Sequence, residues 1–153
     1  MISYRPALPR DRAFIVSAWD ASYEDAHTSG MIPMQLWADT MRPIIEHYLD
    51  RPYARTFVAY NPDDPDPLAD LHGFICGEPD EKPPIVYYVY VKEPYRRDGI
   101  ATKLFAALGI DPNRPFEYLC STPVMPHLVR KVPFAKWKPN PARYSREARR
   151  QSR

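Results

Sequence analysis

In the stretch YRRDGIATKLF, residues 95–105, residue types and spacing could grip an anion. Arg96 and Arg97 carry forked, permanent positive charge suited to phosphate. Gly99 lets the backbone approach a ligand closely. In RDGIATKLFAALGI, Ala101, Leu104, Phe105 and Leu108 share one stripe, so a helix is predicted there, with Ile100 in its first part. A strand running into a tight turn that opens a helix points unpaired backbone N–H groups at one spot. The helix dipole adds about half a positive charge. The same residues could also make a plain solvated turn, so the surrounding elements decide.

Those elements read in the order β-α-α-β-β-β-α-β-α. ISYRPAL alternates as a first strand, and Phe14, Ile15, Ala18 and Trp19 fall at helical spacing. Trp37, Met41, Ile44, Ile45, Tyr48 and Leu49 mark a second helix. Pro33 suits its first turn, and Pro43 predicts a kink or two shorter helices. ARTFVAY and LADLHGFICGE are strands flanking the acidic turn NPDDPDP. IVYYVYV is apolar or aromatic on both faces, as in a buried central strand. The helix in RDGIATKLFAALGI follows, with Gly109 as its stop. FEYLCST is the last clear strand, and MPHLVRKV is at most a short helix. This is an α/β (α+β) domain with a mixed antiparallel and parallel sheet.

A chain of 153 residues suits one domain, read here as 1–138 with a basic C-terminal tail at 139–153. No apolar run reaches the ~20 residues of a membrane span. The first residues lack a signal peptide's apolar core, and two cysteines, Cys76 and Cys120, make no disulfide framework. The expected compartment is cytoplasmic. His72 and Cys76 share a strand face, but further ligands for a metal are lacking, so none is expected. The net charge of +2 hides an asymmetry. Residues 128–153 hold nine basic residues and one acid, leaving 12 basic and 18 acidic in the rest. That tail hints at a polyanionic partner.

VYVKEPYRRDGIATKLF resembles motif A of the GCN5-related N-acetyltransferases, the GNAT superfamily. The family pattern is a hydrophobic strand, Arg/Gln-x-x-Gly-x-Gly/Ala, then a helix; Arg96, Gly99 and Ala101 fill it here. YRPALPRDRAFIV also resembles the family's opening strand and helix, and the likeness extends over roughly residues 2–138. The resemblance implies a GNAT fold: a mixed central sheet with a V-shaped splay between strands 4 and 5, helices on both faces. It implies acetyl-CoA, its pyrophosphate on the amides of Arg97 through Thr102. The pantetheine arm would lie along Val89, Tyr90 and Val91, with the thioester in the splay. The activity implied is transfer of an acyl group from coenzyme A to an amine by direct attack.

Two family features are missing. The strand-four glutamate that often serves as general base falls at about Tyr87, with no carboxylate nearby in sequence. The tyrosine that often protonates the departing thiolate falls at Val129. A general base contributes about 10²–10⁴-fold. Proximity contributes roughly 7–11 kcal/mol, which is more. The absences therefore permit an enzyme. Of the nearby phenols, Tyr87, Tyr88 and Tyr90, Tyr88 is the candidate to donate to the thiolate. Ser121, at the end of strand five, is a second catalytic candidate, although a residue of its type there more often caps the helix that follows. Trp19, Tyr23, His27 and Trp37 would form an aromatic wall for the acceptor, or would simply pack the first two helices. Two alternatives stand beside the transferase reading. One is a GNAT-fold protein modifying nucleic acid, as phage Mom proteins modify DNA bases, with Trp137 and Tyr144 interleaved among basic residues of the tail. The other is a coenzyme A-binding module without catalysis. A homodimer is compatible with all three.

Overall fold

The computed structural model describes residues 1–27, 34–66, 71–118 and 135–137, with side-chain surroundings over 1–21, 42–66 and 71–118. The elements are β1 (Ser3–Pro6), α1 (Arg12–His27), α2 (Met34–Leu49), β2 (Arg55–Tyr60), β3 (Leu71–Glu78), β4 (Ile85–Val91), α3 (Ile100–Leu108), β5 (Phe116–Tyr118) and β6 (Ala135–Trp137). One sheet carries the strands in sequence order. β1 to β4 pair antiparallel in succession, while β5 joins β4 and β6 joins β5 in parallel. The β4–α3–β5 unit is the crossover that a parallel pair requires.

Apolar residues cover both faces of this sheet. On one face Val86, Val89 and Val91 pack with Ile100, Leu104, Phe105 and Leu108 of α3. Phe105 meets Phe116 edge-on at 5.2 Å, tying the helix to β5. On the other face Phe74, Ile85, Tyr87 and Tyr88 pack with Ile15, Trp19, Ile45 and Tyr48 of α1 and α2. This double coverage explains why IVYYVYV shows no polar alternation.

The start of α1 is pinned to β1 by Asp11, a fully buried carboxylate. Both its oxygens accept from the Arg5 guanidinium, and Oδ2 also accepts from the Leu8 amide at 2.7 Å. Burial pushes this carboxyl upward, but the Arg5 and Leu8 hydrogen bonds and the charges of Arg5 and Arg10 outweigh it and hold it below the ordinary value. A lowered folded value means stability that is present above the unfolded pKa of ~3.9 and lost as pH falls through the folded one. Asp11→Asn is expected to cost about 2 kcal/mol in urea unfolding at pH 7. Its deficit relative to wild type should shrink below about pH 4.

Two sequence expectations change. Of the two outcomes expected at Pro43, the split into shorter helices does not occur: Pro43 lies inside a continuous α2. Arg42, Pro43 and Ile44 are exposed, so the missing amide falls on a solvent-facing side where water can serve the orphaned carbonyl. FEYLCST is not the last strand: β6 adds three residues beside β5, Phe116 opposite Ala135 and Tyr118 opposite Trp137. Such a short strand has no periodicity of its own and forms through pairing. The expected helix in MPHLVRKV and the tail 139–153 lie outside the described residues. Among the described residues no helix is long and apolar enough to cross a membrane.

Candidate active site

Among the described residues, Ile85 opposes Glu117 and Val86 opposes Tyr118, the last described residue of β5, while β4 runs on to Val91. β4 is irregular next to these pairs. β3 pairs Gly77 with Val86 but Cys76 with Tyr88, so Tyr87 is an extra residue, a bulge. A bulge bends its strand, disrupts the ladder locally and re-aims a side chain. Here it puts Tyr87 and Tyr88, adjacent in sequence, into the same α1/α2-facing core. Beyond it, Val89, Tyr90 and Val91 stay paired to Ile75, Phe74 and Gly73 on the β3 side.

The turn after β4 is built by its own arginine. Lys92 N–H donates to the His72 carbonyl at 2.8 Å, continuing the β3 pairing one residue past the strand. A short 3-10 turn, Glu93–Tyr95, follows, and Tyr95 stacks on His72 at 3.8 Å. Arg96 Nε then donates to the Val91 carbonyl at 2.9 Å, closing the loop. The arginine pair therefore divides its work. Arg96 shapes the turn through its side chain, and Arg97 is exposed at its tip.

Arg97 and Gly99 both have left-handed backbone, φ 75° and 76°, with Asp98 between them and helical Ile100 after. Alternation of this kind curls successive N–H groups into an anion-binding concavity. For arginine the conformation is strained by about 1–2 kcal/mol. Gly99 is the N-cap of α3, no side chain caps the helix, and its first turn holds no acid. The first amide bonded back along the helix is that of Lys103, to Gly99 O at 3.1 Å. A Cβ built on Gly99 would meet nothing within 4 Å, so the turn is open on the side its side chain would occupy. Ile100 is buried and Ala101 packs on the core, which anchors the amides, while Thr102 is exposed.

The expected catalytic and acceptor residues distribute differently. Tyr88 is buried with its ring stacked on Trp19 at 4.8 Å and against Phe74, so its ring is part of the core packing. Trp19, 1% exposed and stacked also on Tyr48, packs α1 against α2 and the sheet rather than lining an open wall. Tyr23, His27 and Trp37 lie on α1 and α2, but their side chains are outside the described residues, and Ser121 is wholly outside them.

One group was missed. Glu78, at the end of β3, is 2% exposed and lies beside Tyr87, although no carboxylate is close in sequence. Arg51, directly after α2, faces it, Nη2 to Oε2 at 3.6 Å, and lies over the Tyr87 ring at 5.2 Å. Burial first, then the adjacent carboxylate, push the Tyr87 phenol well above its ordinary value. Cys76, on the same strand, is pushed up to about 12, again chiefly by burial. It is an inert structural thiol at neutral pH.

A mixed sheet with a bulge in β4, and a glycine turn and helix at that strand's carboxyl end, is the fold of the GCN5-related N-acetyltransferases. Solved structures bear this out at low identity. A predicted acetyltransferase of Clostridium acetobutylicum, solved with acetyl-CoA, is 15% identical, with TM-score 0.59 over 86% of this chain and 88% of that one. An aminoglycoside 6'-N-acetyltransferase of Acinetobacter baumannii is 12% identical, with TM-score 0.57 over 89% and 92%. The enzyme AAC(6')-Iy, bound to the bisubstrate analogue CoA-S-monomethyl-acetylneamine, is 15% identical, with TM-score 0.51 over 89% and 92%. No protein-family model and no curated protein matches the chain.

Proposed function

We propose that the protein is an acyl-CoA-dependent N-acyltransferase using acetyl-CoA. The observation that carries the reading is the uncapped glycine turn at Arg97–Thr102, set between the end of β4 and the start of α3. Its amides and the α3 dipole suit a pyrophosphate, and the backbone of Val89–Val91 is the part of β4 that would pair an extended amide-bearing arm. Acetyl-CoA supplies an acyl group activated as a thioester. The chain's own contribution is to hold that group in the gap, with a β4 amide near Tyr90 aimed at the carbonyl oxygen. The acceptor amine enters from the α1/α2 side, where Tyr23, His27 and Trp37 are carried. Solved relatives of the fold act on aminoglycosides, so an aminoglycoside belongs among the acceptors tested.

The test has two parts. Calorimetry should show one acetyl-CoA bound per chain. Thiol release from acetyl-CoA should then rise above the uncatalysed rate with at least one of kanamycin, spermidine, a lysine-containing peptide or aniline. No binding at about 1 mM, the upper end of usual KM values, contradicts the proposal.

A further inference from the structure

Residues 92–103, the turn after β4 and the first turn of α3, are a positive island in an acidic body. They carry four basic residues, Lys92, Arg96, Arg97 and Lys103, and two acids, Glu93 and Asp98. The rest of residues 1–127 carries eight basic and 16 acidic residues. A local excess of this kind draws anions to it. The four cations are not equivalent. Arg96 is half-buried, and its Nε is committed to the Val91 carbonyl. The Lys92 ammonium lies over the Phe14 ring at 5.1 Å. Lys103 is exposed on α3, its amide bonded back to Gly99. Arg97 is exposed at the tip of the turn, and among the described residues no hydrogen bond, ion pair or ring contact engages its side chain. Yet an arginine stands there at φ 75°, where glycine would be free of strain. No contact of the side chain within the described fold offsets that strain. A free fork of donors, held beside amides that suit phosphate and inside the positive island, is arranged for an anionic ligand.

We infer that Arg97 is a specificity-determining residue whose guanidinium reads a phosphate at the nucleotide end of the cofactor, a role resting on the coenzyme A reading of this turn. The amides of the turn are backbone groups and stay in place whatever side chain residue 97 carries. The guanidinium adds a contact of a different kind, two parallel N–H donors to two oxygens of one phosphate. Coenzyme A offers two such groups. One is the diphosphate, and the other is the phosphomonoester on its ribose, with a charge of about −1.5 to −2 at pH 7. A carrier with the same thioester and pantetheine arm but without these phosphates loses the contact, so Arg97 favours coenzyme A over it. The backbone strain is a cost to the fold that only ligand binding offsets. Removing the side chain should therefore weaken binding without weakening the fold.

The test is calorimetry on the full chain as wild type, Arg97→Gly, Arg97→Lys and Lys103→Ala. The ligands are acetyl-CoA and acetyl-dephospho-CoA, which lacks only the ribose phosphate. Arg97→Gly should weaken acetyl-CoA about tenfold at low salt, as loss of a charge-assisted hydrogen bond at an exposed site does. The gap should narrow to under about threefold at about 0.5 M salt, because exposed charges are screened there. Arg97→Lys, which keeps the charge and loses the fork, should fall between the two. Lys103→Ala removes an exposed cation close by and should stay within about twofold of wild type. The unfolding midpoint of Arg97→Gly should equal or exceed that of wild type, since glycine accepts φ 75°. Acetyl-dephospho-CoA identifies the phosphate: a gap that vanishes with it assigns Arg97 to the ribose phosphomonoester, and a gap that persists assigns it to the diphosphate. An acetyl-CoA gap under about twofold, a gap indifferent to salt, an equal loss in Lys103→Ala or a lowered midpoint in Arg97→Gly overturns the inference and leaves the cofactor turn standing. Wild type that binds no acetyl-CoA overturns both.

Discussion

Gly99→Glu is expected to weaken acetyl-CoA binding by at least about 100-fold, or about 2.7 kcal/mol. The new carboxylate would stand among the amides proposed for the pyrophosphate, repelling the ligand and satisfying the donors itself. Steric blockage from the Cβ plays no part, since nothing lies within 4 Å of that position. Left-handed strain does enter, because Gly99 has φ 76°. Gly109 provides the matched control. It caps the other end of α3 at φ 91°, with equally open space. Gly109→Glu carries the same charge and the same kind of backbone penalty, but at the far end of the helix. It should lower stability and leave acetyl-CoA affinity within about twofold. Calorimetry on the two variants separates loss of the site from general damage.

Gly73→Ala should be among the most destabilising single-methyl changes in the chain, at about 3 kcal/mol in urea unfolding. An added Cβ would run into the Tyr90 carbonyl oxygen and crowd Val91 Cα at 3.2 Å. Both are backbone atoms of β4, so no side chain can swing aside. Either β3 and β4 separate or both bend, in the middle of the sheet. The same change should disturb function, since Tyr90 and Val91 form the edge proposed for the pantetheine arm. Acetyl-CoA affinity should fall together with stability, whereas Gly109→Glu should move stability alone.

The glycine turn and the helix after it were legible from residues 91–109 because their determinants are local. Gly99 and Gly109 mark the ends of α3, both in left-handed backbone, and the apolar stripe between them is buried as periodicity demands. What was not legible depends on partners distant in sequence. The bulge at Tyr87 inserts one residue into a run of seven apolar and aromatic side chains, where alternation carries no signal to break. Glu78 reaches Tyr87 only through β3–β4 pairing shifted by that bulge, so a search for a carboxylate along β4 passes it by. Trp19 and Tyr88 have the types of binding and catalytic residues, yet stacking on each other uses them as core. β6 exists because β5 offers an unpaired edge, a property that three residues cannot announce.

The central claim is that the turn after β4 holds the diphosphate of coenzyme A while the β4–β5 gap holds its thioester. A crystal structure with acetyl-CoA tests this most directly. The account predicts the pyrophosphate within hydrogen-bond distance of amides in Arg97–Thr102, and the acetyl group in the gap on the Tyr87 side of Val89. Acetyl-CoA bound elsewhere on the chain, with that turn free of phosphate, would contradict it.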